Sequence, residues 1–79
     1  MEHNHDFQAD NKFFIENYAM LLNLHAGKTV AIARNKVLFV ADSHPEAISW
    51  ADRFCMAGLC SILDVSPKTY SELTEGIRI

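Results

Sequence analysis

The sequence predicts one small α+β domain of order α-β-β-α-β, a three-stranded sheet with its helices packed on one face. Three observations carry this reading. A chain of 79 residues has room for one hydrophobic core and no second. Two β-branched, apolar runs flank Arg34-Asn35-Lys36 as a hairpin would. Two stripes of apolar residues at helical spacing bracket that hairpin, one ending at Gly27 and one opening at Ser43.

Residues 1–9 are polar and without periodicity, so they read as a flexible leader, and the domain is expected to span 10–79. Asp10 is a candidate N-cap for a first helix over roughly 11–25, with Phe14, Tyr18, Leu21, Leu22 and His25 at helical spacing. Gly27 is placed to end it in the left-handed conformation. The apolar surface of this helix is wide, because Phe13, Ile15, Ala19, Met20 and Leu24 fall off the main stripe.

The hairpin strands are Thr29 to Ala33 and Val37 to Ala41. A two-residue turn places Val30, Ile32, Val37 and Phe39 on one face and Ala31, Ala33, Leu38 and Val40 on the other. That second face is too apolar to lie wholly in water.

Ser43-His44-Pro45-Glu46 is a capping box, which opens a second helix over roughly 44–57 with Gly58 at its end. Its core stripe reads Ala47, Ile48, Ala51, Phe54 and Cys55. Cys60 to Val65 fits a third strand, returned parallel to the second by the helical crossover. Ser66-Pro67 then opens a short turn of helix through Leu73, loosened at Gly76, and the tail Ile77-Arg78-Ile79 frays or adds an edge strand.

The run Gly27-Lys28-Thr29-Val30-Ala31-Ile32, followed by Lys36-Val37 and Glu46-Ala47, resembles a family of small prokaryotic domains of unknown function. The resemblance covers about Tyr18 to Pro67. It implies a helix, hairpin, helix, strand architecture and no catalytic residue. Asn35-Lys36 stands where a glycine-containing turn is more usual in that family.

Charge and cysteine usage exclude several functions. The net charge is −3 and the seven basic residues are scattered, so no stripe tracks a phosphate backbone, and no nucleic acid is expected as a partner. No apolar run approaches the ~20 residues that span a bilayer, and no membrane partner is expected. Cys55 and Cys60 are too few for a disulfide scaffold and read as reduced, partly buried residues of a cytoplasmic protein.

No catalytic, cofactor or metal site is assigned. His3 and His5, with Asp6, are the candidate metal ligands, since an amino terminus followed by a histidine at the third position chelates Cu(II) or Ni(II). Chance produces such termini more often than selection. Cys60 with His25 or His44 would be the nucleophile pair of a thiol enzyme, but no orienting group or oxyanion motif accompanies it. Gly27-Lys28-Thr29 precedes a strand, not the helix that a phosphate-binding loop requires. The pairs Asp42 and Glu46, and Glu72 and Glu75, read as capping and solvated surface.

The function expected on these grounds is a non-enzymatic protein-interaction or assembly module that self-associates, as a homodimer. Its apolar content, 49% of residues, exceeds what so small a core hides. The candidate interface residues are Leu38 and Val40 on the open sheet face, Trp50 on the second helix, and Ile15 and Met20 on the outer side of the first. The alternatives are a small effector that binds another protein, as compact acidic proteins from phages do, and a thiol-dependent enzyme.

Overall fold

The structure, a computed structural model, describes residues 5–77. His3, Arg78 and Ile79, on which expectations for a metal site and an edge strand rested, lie outside the described residues. The α+β architecture is as expected, with the first helix divided in two and the short helical turn after Ser66 extended to a full helix: α1 (Phe7–Glu16), α2 (Tyr18–His25), β1 (Thr29–Ala33), β2 (Lys36–Ala41), α3 (His44–Arg53), β3 (Ser61–Asp64) and α4 (Pro67–Ile77).

The expected first helix is two. Asp6, not Asp10, caps α1, its Oδ1 accepting from the Ala9 N–H at 3.0 Å, so residues 7–9 form the first turn of α1 and not a leader. The helix breaks at Asn17, whose side-chain amide donates to the Phe13 carbonyl at 2.9 Å. This is the local side-chain competition that makes asparagine a poor interior helix residue. Gly27 does follow α2 with φ of 79°.

The hairpin turns through Arg34 and Asn35, both at positive φ (56° and 61°), with Ala33 opposite Lys36. That is the twist-compatible type I′ geometry. Between Ala31 and Ile32 the register shifts, because Ala31 faces Phe39 while Ile32 faces Val37. Leu38 is the extra residue of a bulge, and beyond a bulge the face alternation reverses. Val37 and Val40 therefore pack with Val30 and Ile32, whereas Leu38 and Phe39 pack with Ala31 and Ala33. The expected partition had Phe39 and Val40 the other way round.

The strand order is β2-β1-β3 with β1 antiparallel to both neighbours. β3 thus runs in the same direction as β2, as expected, but across β1. The Val65 carbonyl accepts from Gly27 N–H at 3.1 Å, and Val65 N–H donates to the Lys28 carbonyl at 2.8 Å, which carries the β1–β3 pairing past the strand end.

Helices cover both sheet faces, which corrects the one-sided packing. Phe14 of α1, Leu21 of α2 and Val65, joined by Tyr70 and Leu73 of α4, bury Val30 and Ile32. α3 lies on the opposite face, where Ala51 packs with Ala31, Ala33 and Cys60. All five β1 residues are buried, so an apolar central strand demands cover on both sides. The chain supplies it without a second subunit.

The Ser43 capping box forms: Ser43 Oγ accepts from Glu46 N–H at 3.3 Å, while Glu46 Oε1 reaches back to Asp42 N–H at 3.2 Å, one residue beyond the usual target. α3 ends at Arg53, earlier than expected. Cys55 takes the left-handed position (φ 58°), with Cys55 N–H to Asp52 O at 3.2 Å and Met56 N–H to Ala51 O at 2.7 Å. These two bonds are a Schellman motif with cysteine where glycine is usual. Gly58 (φ 78°) instead serves the next turn, closed by Leu59 N–H to Met56 O at 2.9 Å. α4, capped by Ser66 Oγ accepting from Thr69 N–H, runs well past Leu73.

Candidate functional site

Two surfaces combine exposed chemistry with defined geometry. The first follows from how α3 packs. Alanines on the helix (Ala47, Ala51) and on the strand (Ala31, Ala33) are buried against the sheet side, so the larger side chains of α3 are left at its flank. Trp50 and Phe54, one turn apart, stack with ring centroids 5.6 Å apart and planes at 20°. Phe54 meets Phe39 of β2 edge-on at 5.9 Å, and the Arg53 guanidinium sits 5.5 Å over the Trp50 ring. Trp50 Nε1 donates to Glu46 Oε2 at 3.3 Å. The shelf remains open, with Phe54 54% and Trp50 37% exposed. Beside it runs β2, which among the described residues pairs only with β1, and whose Val37–Ala41 stretch holds no charge and no proline.

The second surface is a cleft of about 520 Å³ at the turn end of the sheet. The start of α1 gives it Asp6 and Asp10 beside His5, the β1–β2 turn gives it Arg34 and Lys36, and Leu38, Met56 and Leu59 supply an apolar side. Asp10 is 1% exposed. Its Oδ2 accepts from Ser61 Oγ at 2.7 Å and is hydrogen bonded to His5 Nε2. A buried carboxylate needs such partners, because desolvation is costly. The serine hydroxyl is engaged by the carboxylate and not by the imidazole, unlike the relay of a serine hydrolase. Arg34 occupies its left-handed turn position at a strain of roughly 1–2 kcal/mol that glycine would avoid.

The remaining sequence candidates are dispersed. Leu38 and Val40 do not share a face: Leu38 lines the cleft, and Val40 is half-buried against the main core. Ile15 is half-buried on α1, and Met20 is exposed on α2. Ile48, Phe54 and Cys55, expected in the core stripe of α3, are exposed.

Cys60 is buried and its Sγ donates to the Met56 carbonyl at 3.6 Å. Burial first, and the charge of Asp10 second, push its pKa up, so the thiol stays protonated. Cys55 is exposed, against expectation. No hydrogen bond among the described residues joins Cys60 to a histidine. His44 Nδ1 instead pairs with Asp64 Oδ1 at 3.1 Å, and Thr29 Oγ1 donates to the same oxygen at 2.8 Å. The Thr29 hydrogen bond chiefly, helped by His44 and opposed by partial burial, lowers the Asp64 pKa. Asp42 holds Lys28 Nζ at 2.8 Å, which lowers the carboxyl pKa and raises that of the amine. Ser71 Oγ donates to Glu75 at 3.3 Å, and Glu72 is exposed.

His5 lies with Asp10, and among the described residues no group of three or more His, Cys, Asp or Glu is placed to hold a metal. No described helix is long and apolar enough to cross a membrane. Sequence reasoning missed three residues of these two surfaces. Asp10 resembled a cap because residues 1–9 read as a leader, Phe54 resembled core, and nothing local marked Arg34 for positive φ. Comparison with family models, curated proteins and solved structures found no match to this chain.

Proposed function

We propose that the chain is a self-associating, non-enzymatic protein-interaction module, whose contact surface is the outer edge of β2 with the Trp50–Phe54 shelf beside it. The observation that carries this is an edge strand whose Val37–Ala41 stretch, although bulged at Leu38, holds no charge and no proline and is flanked by exposed, stacked aromatic rings. The other edge is different: β3 has four residues and ends on Asp64.

A second copy is the occupant that satisfies this surface, because antiparallel pairing about a two-fold axis sets one strand edge against the same edge of its partner. The run begins at Lys36 and is followed by Asp42. Two copies paired in this way bring Lys36 of each toward Asp42 of the other, and both shelves lie on the joined sheet. The open sheet face is no longer an argument for a dimer, since α3 covers it. The edge and the shelf replace it.

Trp50 is the single tryptophan, which makes the test direct. Sedimentation equilibrium from ~10 to ~500 μM is expected to give a monomer–dimer equilibrium, with the tryptophan emission moving to the blue as dimer forms. Phe54→Ser and Trp50→Lys are expected to weaken association at least about tenfold with unchanged far-UV circular dichroism. A strict monomer across that range overturns the proposal.

A further inference from the structure

We infer that the cleft between α1 and the β1–β2 turn is a binding site for a small zwitterion with an apolar body, an amino acid or short peptide, its ammonium group at Asp10 and its carboxylate at Arg34 and Lys36. This inference stands independently of the self-association reading.

The cleft is bipolar. Its acidic side is fixed in place: Asp10 is almost wholly buried, is held through Oδ2 by Ser61 and His5, and has an Oδ1 that accepts no hydrogen bond among the described residues. A carboxylate so held is preorganised, and Asp6 adds a second negative charge nearby. The basic side consists of two cations on a tight turn. Arg34 is held there in a strained backbone conformation, and residues that persist at strained positions cluster at ligand sites. Leu38, Met56 and Leu59 add apolar lining to the same cleft, and Met is an adaptable contact surface.

A volume of about 520 Å³ lies within the usual range for small-molecule sites. A simple anion meets repulsion from Asp6 and Asp10, and a simple cation meets it from Arg34 and Lys36. A molecule carrying both charges matches both sides.

The test is a titration of the 15N-labelled full chain with leucine and, separately, leucyl-leucine, followed by two-dimensional amide NMR. Saturable shifts at Asp10, Ala33 to Asn35, Leu38 and Leu59 are expected, and whichever probe binds tighter identifies amino acid or peptide as the source. Acetylating the amine or amidating the carboxylate of that probe is expected to weaken binding about tenfold each, the loss of one charge-assisted hydrogen bond. Arg34→Gly is expected to raise the melting temperature by a few degrees, about 4 °C, while weakening binding by the same factor. Asp10→Asn tests the acidic side, and Arg34→Gly keeps the proposal testable if that variant does not fold. Absence of saturable shifts up to ~50 mM for both probes, or blocked probes that bind as well as free ones, overturns the site.

Discussion

The two faces of the sheet are packed by different means. One face buries Phe14, Leu21, Val30, Ile32 and Val65 under α1, α2 and α4. The other is built from Ala31, Ala33, Ala51 and Cys60, with α3 lying on small side chains. Large interdigitating side chains bury more apolar area, so the first face holds most of the stabilisation. Small ones contribute less and leave the rings of Trp50 and Phe54 exposed at the margin. The core and the candidate surface are thus separated across one strand, residue by alternate residue.

Truncation should break that comparison most sharply. Phe14→Ala, on the large-residue face, is expected to cost roughly 3–5 kcal/mol, enough to unfold a domain of this size, while Phe54→Ala is expected to cost less than about 1 kcal/mol. Urea unfolding of the two variants measures the difference, and equal losses would mean that the faces share the load.

Enlargement should reverse the order of sensitivity. Ala51→Leu has no room beneath α3 and is expected to destabilise by about 1–3 kcal/mol. On the other face, Tyr18 is in the opposite situation. Its hydroxyl oxygen is buried without a partner among the described residues, although its ring stacks on Tyr70 at 4.5 Å. Tyr18→Phe removes that unsatisfied group and is expected to leave stability unchanged or raise it by up to about 1 kcal/mol.

Cys55→Gly should stabilise by about 1 kcal/mol, read as an increase in melting temperature, because it relieves the left-handed cysteine that ends α3. With both thiols present, an alkylating reagent is expected to modify Cys55 rapidly and Cys60 only as fast as the fold opens. Modification of both at one rate would show that the second face does not exclude solvent.

The smallest effect is expected from pH. The folded pKa of Asp64 lies below its unfolded value, so its contribution is complete above the ordinary carboxylate value near 4 and is lost as pH falls through the folded pKa. Asp64 is exposed, and solvent screening keeps this under about 1 kcal/mol. Melting temperatures from pH 6 to about pH 2.5 should fall at the acid end, less steeply in Asp64→Asn.

Where each element's residues act on their immediate neighbours, the sequence was legible. The β1–β2 hairpin, the Ser43 cap and Gly27 depend on contacts within a few positions, and each stands where periodicity and turn chemistry put it. The start of the first helix was not legible, because Asp6 and Asp10 offer the same capping oxygen and only the burial of Asp10 beside Ser61, 51 positions away, separates their roles. The end of α3 was misplaced for a related reason: Gly58 is the better left-handed residue, yet Cys55 takes the cap.

The amino acids alone determined the α+β class, the order of helix, hairpin, helix and strand, and the apolar character of both sides of β1, all set by short-range spacing and steric preference. Tertiary structure decided which side each helix covers, how the Leu38 bulge exchanges Phe39 with Val40, and the gathering of Asp10, Arg34 and Leu59 around one cleft. Those outcomes turn on register and on contacts between residues far apart in the chain. A shift of one residue there reverses a whole face, and no local preference encodes it.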